Sequence, residues 1–478
     1  MNFLSSNRKS IGLGILFIVV AQFFIFQENW LFFFLPVALL LIYTAVYSTK
    51  QLFSLLFFFT PLSINIEEYV PGFGLFLPTE PLFFGLMVLV LAYQFRAKII
   101  PSYLISNGLV ISIIVYLSWL FITSCVSTHP IISFKFILSK LWFIVPIFGF
   151  GALYFLNTKN IIRFFWLFSI GMLVVISYTL IHHASYGFGE KEGHWVMWPF
   201  FKDHTSYGAL TALILPLLVG IYFQKENSLF IQTVLILCIV IDLLGIYFSY
   251  TRAAWLSIAA AVIVGLLIHF KVKFKIIAVS VLIALSLSTI YWTEIQFLLE
   301  KNKYEHTTED FGERLQSATN VTSDASNLER INRWSCAIEM FKERPLFGFG
   351  PGTYAFEYAR FQKPENLTII STNFGDMGNA HSEYLGPLSE TGAIGLLTFL
   401  GVVAMLFYKG ITLYYNYSID HHSTSLLILM MILSLVTYFV HGVLNNYLDT
   451  DKASVPIWTM AIIFIVLEEK LKKKATIS

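Results

Sequence analysis

Long apolar runs recur from one end of the chain to the other and are separated by short polar hinges. A run of about 20 apolar residues, at about 1.5 Å of rise per residue, lets a helix cross the ~30 Å hydrocarbon core of a bilayer. The composition agrees, because 57% of the 478 residues are hydrophobic and only 13% are charged, unlike a soluble globular chain. The sequence therefore predicts an all-α fold, a polytopic transmembrane helical bundle embedded in a lipid bilayer.

We place fourteen predicted spans, or about twelve if the two weakest are dropped. They cover residues 11–26, 31–48, 51–65, 80–95, 107–126, 133–155, 160–182, 205–223, 228–249, 252–270, 273–292, 392–408, 424–444 and 453–468. The weakest are the third, which runs into Pro61, and the tenth, which begins at an arginine. This predicts an N-terminal transmembrane bundle over residues 1–292, a large loop over residues 293–391, and C-terminal transmembrane helices with a basic tail over residues 392–478.

Basic residues are concentrated in alternate hinges. With the N-terminus inside, the cytoplasmic hinges contain Arg8, Lys9, Lys50, Arg96, Lys98, Lys159, Lys225, Lys271, Lys273, Lys275, Lys409 and the cluster at residues 470–474. The opposite hinges are poor in lysine and arginine. Because positive charge favours cytoplasmic loops, both termini are predicted to be cytoplasmic and the large loop extracytoplasmic.

One amphipathic helix is predicted inside the large loop. Residues 326–329 (Ser-Asn-Leu-Glu) have the form of a capping box, and Pro345 supplies the stop. Arg330 and Arg333 share one flank of this helix and form either a solvated basic face or part of a functional site. The apolar stripe, which we expect to pack on the bundle mouth or on lipid, consists of Leu328, Ile331, Trp334, Ile338 and Phe341.

A glycine-rich turn and a histidine follow this helix. Residues 345–352 (Pro-Leu-Phe-Gly-Phe-Gly-Pro-Gly) predict a sharp turn that approaches something closely; its amides either face an anion or simply return the chain to the membrane. His381, within residues 379–385 (Asn-Ala-His-Ser-Glu-Tyr-Leu), lies at the predicted membrane boundary. It is either an interfacial polar residue or a general base, since imidazole titrates near neutrality and can take a proton from a sugar hydroxyl.

Charged residues also occur inside or beside predicted spans. Arg252, in residues 249–255, joins two spans with almost no hydrophilic hinge. Its guanidinium matches diphosphate oxygens, and the alternative is an arginine that reaches towards lipid headgroups. Lys135 and Lys140 on the sixth span and Asp242 on the ninth either line the same cavity or pair with one another.

The hinge at residues 195–205 is rich in aromatic side chains and polar at its end. Aromatic residues in such hinges commonly form a belt at the membrane interface. The alternative is a carbohydrate site, because aromatic faces stack on sugar rings while Asp203 and His204 bind hydroxyl groups.

Together these segments resemble the O-antigen ligase and Wzy-type polymerase family. The resemblance covers residues 198–399 in order, and Ser382 departs from it, since asparagine often follows the histidine in the family. The motifs that carry it are Thr-Arg-Ala-Ala-Trp at 251–255, Asn-x-x-Arg-x-x-Arg-Trp at 327–334, Pro-Leu-Phe-Gly-x-Gly-Pro-Gly at 345–352, Ala-His-Ser-x-Tyr-Leu at 380–385 and Glu-Thr-Gly-x-Ile-Gly at 390–395.

The resemblance implies a metal-independent membrane glycosyltransferase of the GT-C kind, without a cofactor, in the bacterial inner membrane. The donor would be an undecaprenyl-diphosphate-linked glycan, and the acceptor another glycan, a lipid A core or a different hydroxyl. No motif for nucleotide-driven chemistry or zinc binding occurs in the sequence, and no nucleic acid partner is expected. The sequence leaves polymerase and ligase open, and a glycan transporter or flippase is the alternative.

The resemblance also assigns roles to residues. The family's motif arginines fall on Arg252 and on Arg330 or Arg333, and its loop histidine falls on His381. We therefore expect His381, Arg252 and Arg333 to be catalytic, with the histidine orienting or deprotonating the acceptor. Substrate-binding or supporting roles are expected for Arg330, Asp203, His204, Lys140, Glu383 and Glu390.

Overall fold

The computed structural model describes residues 20, 22, 24, 43, 44, 47–68, 74–272, 325–364, 367, 371, 378–419 and 422–477, without the side chains of residues 325–328 and 475–477. The chain divides into two compact units, residues 1–56 and 57–478, and both cavities described in the candidate site lie in the second. The predicted spans at residues 11–26 and 31–48 lie largely, and that at 273–292 entirely, outside the described residues.

The fold is all-α, as predicted, with 77% of it helical. The helices are α1 Thr49–Leu62, α2 Thr79–Ala97, α3 Ser102–Ile105, α4 Gly108–Cys125, α5 Pro130–Tyr154, α6 Lys159–Ala184, α7 Glu190–Gly193, α8 His204–Tyr222, α9 Leu229–Phe248, α10 Arg252–His269, α11 Ala325–Glu343, α12 Tyr354–Glu357, α13 Leu385–Tyr417, α14 His422–His441 and α15 Asp451–Ile477. A short antiparallel hairpin pairs β1 Ile64–Asn65 with β2 Phe76–Leu77.

Nine helices of the described residues are long and apolar enough to cross a membrane: α2, α4, α5, α6, α8, α9, α10, α13 and α14. The protein is therefore a multi-pass membrane protein. Helix α15 contains the last predicted span, and all of its residues from 451 to 467 are buried. A helix that is apolar on every side belongs in the interior, and α15 packs there against α5, α13 and α14.

Local capping explains where several of these helices begin. The Asn107 side chain accepts a hydrogen bond from the amide of Leu109 (3.0 Å) at the start of α4. The Asp203 side chain does the same for Ser206 (2.8 Å) at the start of α8. Such caps satisfy amides that have no partner within the helix, so the polar hinges position the helix ends as well as separating them.

The amphipathic loop helix is present as α11, and the face that it packs on the protein is not the predicted apolar stripe, which lies partly exposed. Ile338, which belongs to the predicted stripe, is 42% exposed. The face that is buried lies about one position away and carries Arg333, Cys336, Ala337 and Met340. Small side chains on this face let α11 pack closely on the segment that follows it. The core so formed consists of Cys336, Ala337, Met340, Phe349, Tyr354, Tyr358 and Ala380.

Helix α13 begins earlier than predicted and contains a break. It starts at Leu385 rather than 392, and Gly392 interrupts it with φ of 71° and ψ of −173°. At the break the amide of Ala393 donates to the carbonyl of Pro345 (2.8 Å). A β-carbon at Gly392 would lie 2.1 Å from the carbonyl oxygen of Leu346, so only glycine fits here.

Candidate active site

Several loops and helix ends meet at one end of the bundle. The hydroxyl of Ser127, just after α4, donates to the carbonyl of Phe349 (3.2 Å) in the glycine-rich turn. The other end of α4 is anchored elsewhere, because Asn107 donates to Glu468 (2.9 Å) near the end of α15. Most of the predicted site residues lie at the Ser127 end, around two adjoining cavities.

The first cavity, which we call the acidic cavity, has a volume of about 320 Å³. Its charged side chains are Lys140 of α5 together with Glu383, Glu390 and Asp449. Lys140, only 5% exposed, forms an ion pair of 2.7 Å with Asp449. Lys140 therefore lines a cavity and pairs with a carboxylate, but its partner is Asp449 and not Asp242 as we considered.

Glu383 ties two loops together. One of its carboxylate oxygens accepts hydrogen bonds from the Tyr438 hydroxyl (2.5 Å) and from the amides of Tyr447 (2.6 Å) and Leu448 (2.8 Å). Burial, and then the charge of Asp449, raises the pKa of Glu383 to about 7. This carboxylate holds residues 442–450 beside the predicted base, so its role in the structure is to position a loop.

Glu390 organises the glycine-rich turn. Its carboxylate accepts a hydrogen bond from the amide of Tyr354 (3.0 Å), and its carbonyl accepts one from the amide of Gly350 (2.7 Å). The neighbouring amide of Phe349 donates to the carbonyl of Ser389 (3.3 Å). The close approach predicted from the glycines is therefore an approach to α13. The anion hypothesis is wrong for the amides of residues 349 and 350, which already have partners.

The second cavity, which we call the aromatic cavity, has a volume of about 390 Å³. It shares Asn379, Asn446 and Thr450 with the acidic cavity, so the two adjoin. The hairpin and the aromatic hinge both contribute to its walls. Other residues that line it include Glu67, Phe76, Trp198, Phe200, Asp203 and Tyr447.

Asp203 and His204 lie at the start of α8, within this region. Asp203 accepts hydrogen bonds from the amide of Ser206 and the hydroxyl of Thr205 (2.6 Å), and Thr205 also bonds to the Tyr447 hydroxyl. The ring of His204 stacks on that of His194, with centroids 4.2 Å apart. Asp203 thus lines the cavity while also capping α8, whereas His204 faces another histidine.

Arg252 is the first residue of α10 and is partly exposed. The preceding residue, Thr251, donates from its hydroxyl to the carbonyl of His204 (2.8 Å). This bond brings the start of α10 to the same end of the bundle as the two cavities. Arg252 is not among the residues that line either of them.

His381 lies between α11 and α13, with a left-handed backbone (φ of 46°). Its amide donates to the Asn379 side chain (3.0 Å), and its carbonyl accepts from the indole of Trp334 (3.4 Å). Burial lowers the pKa of His381 to about 4, and the charges of Arg330 and Arg333 lower it further against the opposite effect of Asp203. The imidazole is therefore neutral at pH 7.

The two loop arginines have different surroundings. Arg333 is only 5% exposed, pairs with Glu329 (2.6 Å) and lies 4.0 Å from the ring centre of Tyr358. A solvated basic face is therefore wrong for Arg333. Arg330 is partly buried and interacts electrostatically with both His381 and His441.

Sequence reasoning missed the loop after α14. Asn446 lines both cavities, Asp449 pairs with Lys140, and Tyr447 bonds to Thr205. The ring of His441, at the end of α14, forms a hydrogen bond of 3.1 Å with the side-chain amide of Asn445. A signal was present, because Asn, Asp, Thr and Lys fill six of the eight positions 445–452 between two buried apolar helices, in a chain with few charges.

Part of the chain is similar to a known protein family. Residues 235–400 match the family model described as O-antigen ligase. In this region the chain is similar to the O-antigen ligase family. The matched region runs from α9 to α13 and includes Arg252, Arg330, Arg333 and His381, whereas the residues of α5, α8 and the loop after α14 lie outside it. A search of curated proteins gave no match.

The structure therefore brings residues of the matched region together with residues from well-separated parts of the chain. His381, Arg330, Arg333 and Asp203 lie close enough to interact electrostatically. Among the described residues, no group of three or more His, Cys, Asp or Glu side chains is placed to hold a metal ion.

Proposed function

We propose that the protein is a membrane glycosyltransferase that moves a glycan from an undecaprenyl diphosphate carrier to an acceptor hydroxyl. The observation that carries the proposal is the position of His381, a half-buried neutral imidazole next to two arginines at the end of the bundle with the two cavities. The similarity of residues 235–400 to the O-antigen ligase family supports a role in O-antigen ligation or polymerisation. An imidazole beside fixed positive charge suits a reaction that removes a proton and releases a diphosphate.

The step is a displacement at the anomeric carbon of the donor sugar. The acceptor oxygen forms a bond to that carbon as the bond from carbon to the diphosphate oxygen breaks. The acceptor proton passes to His381, and undecaprenyl diphosphate leaves with the bonding electron pair. Negative charge grows on the diphosphate during this step, so cations placed there beforehand stabilise the transition state more than the ground state.

In this mechanism arginine side chains, rather than a metal ion, supply the positive charge that stabilises the leaving diphosphate. Its planar guanidinium matches phosphate oxygens and stays protonated at any relevant pH. We assign the diphosphate to Arg330 and Arg252, because Arg333 is buried against Glu329 and Tyr358 and is better suited to fix α11. This assignment makes Arg333 a positioning residue rather than the catalytic residue that the sequence suggested.

Donor binding would also prepare the base. When no donor is bound, the pKa of His381 is about 4, partly because of the positive charges of Arg330 and Arg333. A bound diphosphate compensates those charges, and an adjacent anion favours the protonated imidazole, so the pKa of His381 rises when the donor arrives. The base therefore becomes stronger only in the complex that needs it.

The proposed setting is the outer face of the bacterial inner membrane, with both termini cytoplasmic. In support, the cavities lie at the Ser127 end of α4, whereas the lysine-rich end of α15 lies with Asn107 at the other end. We accordingly propose that residues 293–391 form an extracytoplasmic loop between an N-terminal bundle (1–292) and C-terminal helices (392–478).

Reconstitution tests the proposal. The full-length protein in nanodiscs would receive an undecaprenyl-diphosphate oligosaccharide and candidate acceptors, with EDTA present. We expect transfer by the wild type, a transfer rate lower by more than about a hundredfold in His381→Ala, and full activity in His422→Ala, which changes an exposed histidine at the start of α14.

The product distinguishes the possible reactions. Longer lipid-linked glycan would identify a polymerase, and transfer to another acceptor would identify a ligase. Transfer that survives in a folded His381→Ala would disprove the proposed base, while movement of the glycan across the bilayer without transfer would favour a transporter.

A further inference from the structure

The aromatic cavity combines flat apolar walls with a few polar groups. Trp198 and Phe200 of the hinge and Phe76 of the hairpin supply the rings, while Asp203, Asn379 and Asn446 supply hydrogen-bonding groups. Its volume of about 390 Å³ is at the lower end of the range of roughly 300–1,000 Å³ found for small-molecule pockets. Sugars match this combination, because their C–H faces pack on aromatic rings while their hydroxyl groups need polar partners at the edges.

One polar group in the cavity wall lacks a partner. The side-chain oxygen of Asn446 is buried and has no hydrogen-bond partner among the described residues. A buried acceptor without a partner is destabilising, so such groups in native proteins usually meet water or a ligand. Asn446 lies where the two cavities adjoin, so a hydroxyl group bound there would lie between them.

The charges around the aromatic cavity balance. Two acids, Glu67 and Asp203, and two lysines, Lys202 and Lys452, line it. The acidic cavity differs, because it has three carboxylates and one lysine. A neutral ligand therefore suits the aromatic cavity better than an anionic one.

The cavity is also next to the proposed reaction centre. Asn379 lines the cavity and accepts the hydrogen bond from the His381 amide, and Asp203 interacts electrostatically with His381. A ligand bound in the cavity therefore lies beside two residues, Asn379 and Asp203, that interact with the proposed base.

We propose that the aromatic cavity is the binding subsite for a neutral sugar unit of one of the two substrates, with Trp198 as its stacking platform. This inference rests on the proposed function and adds the class of sugar and the residues that bind it. Donor and acceptor glycan share this chemistry, and the experiment separates them.

Binding is measured directly, without turnover. Saturation-transfer NMR on the full-length protein in nanodiscs uses the methyl glycosides of glucose, galactose, mannose and N-acetylglucosamine as neutral probes, and methyl glucuronide as an anionic one. We expect a neutral probe to bind, and its dissociation constant to rise about tenfold in Trp198→Ala and much less in Trp198→Phe. Trp195→Ala is the matched control: Trp195 is 43% exposed against 40% for Trp198 but does not line the cavity.

Equal binding in Trp198→Ala and the wild type, binding of none of the neutral probes, or equal binding of the glucuronide would overturn the inference. The transfer assay on the same preparation separates the two proposals. If transfer occurs without sugar binding in this cavity, the proposed function stands and the proposed subsite is wrong. If a sugar binds here but no acceptor receives glycan, the subsite stands and the proposed function is wrong. In Trp198→Ala, a higher KM for the donor assigns the subsite to the donor glycan, and a higher KM for the acceptor assigns it to the acceptor.

Discussion

His381, the proposed base, has a pKa that depends on the charges of its neighbours. A general base acts in its neutral form, and with a pKa of about 4 in the free protein His381 stays neutral down to about pH 5. We therefore expect protonation of this imidazole to lower kcat/KM only below about pH 5. Arg330→Gln removes a positive charge that lowers this pKa, so the acid limb should move up towards the ordinary value of 6.5.

The measurement is the pH dependence of kcat/KM, which reports ionisations of the free enzyme. Arg360→Gln is the control, because Arg360 is half-exposed, pairs with Glu343 (3.1 Å) and should leave the limb in place. Arg330→Gln also lowers the plateau if Arg330 binds diphosphate, but the position of the limb is independent of that height. An unchanged limb in Arg330→Gln would show that this arginine does not tune His381.

The ion pair between Lys140 and Asp449 predicts an asymmetric effect on stability. Asp449→Asn leaves a buried lysine without its countercharge, whereas Lys140→Met with Asp449→Asn leaves no charge behind. Breaking a buried pair costs about 3–5 kcal/mol and an exposed one under about 1 kcal/mol. Since Lys140 is 6% and Asp449 41% exposed in their side chains, we expect a loss of about 2 kcal/mol for Asp449→Asn.

Thermal unfolding in detergent measures this effect, and the double variant should recover most of the loss. Lys342→Met provides the comparison, because Lys342 forms an exposed pair with Glu339 (3.1 Å) and should change stability by under about 0.5 kcal/mol. Equal losses in Asp449→Asn and in the double variant would mean that the carboxylate acts through something other than Lys140.

At the scale of elements, the break in α13 is what fixes the glycine-rich turn. Gly392→Ala places a β-carbon 2.1 Å from the carbonyl oxygen of Leu346 and forces alanine into a left-handed conformation. We expect a loss of about 1–3 kcal/mol in the free energy of unfolding, or more if the turn detaches. Gly401→Ala, in the same helix, meets nothing within 4 Å and should be neutral or stabilising by up to about 1 kcal/mol. Similar unfolding temperatures for both variants would contradict this account.

The same elements show how far the sequence predicts the structure. The spans and the existence of α11 follow from hydrophobic periodicity, which is local information. The buried face of α11 does not, because small residues such as Ala337 and the pairing of Arg333 with Glu329 decide it, and hydrophobicity alone favours Ile338. The early start of α13 was missed for a related reason: the polar Glu390 looks like a loop residue until its partner Tyr354 is known.

Long-range contacts explain what was missed at the site. His381 stands out in the sequence because histidine next to a predicted span is a recognisable chemical signal. The loop after α14 does not, because its residues gain their roles from partners elsewhere: Glu383 bonds to Tyr438 and Leu448, which lie 55 and 65 positions further along the chain. Polar density between two apolar runs is the local signal that would have drawn attention to this loop.

For the whole molecule, the arrangement of the two ends predicts which side of the membrane each faces. Helix α4 has 18 residues and so spans about 27 Å between its Asn107 and Ser127 ends, close to the ~30 Å of a bilayer core. The cavities lie at the Ser127 end, and the lysine-rich end of α15 lies at the other. Because positive charge is retained in the cytoplasm, we expect the cavities to face outwards, towards a lipid-linked donor and its acceptor.

Cysteine labelling tests this orientation. In a background with Cys125, Cys238 and Cys336 replaced by serine, single cysteines would be introduced at Lys363, beside α11, or at Lys472, on α15; these side chains are 45% and 65% exposed. A membrane-impermeant maleimide added to spheroplasts should label Lys363→Cys at once and Lys472→Cys only after permeabilisation. The reverse pattern would place the cavities in the cytoplasm, where the proposed reaction with an externally displayed glycan cannot occur. Labelling of both positions from the outside would contradict the placement of the two ends of the bundle on opposite sides of the membrane.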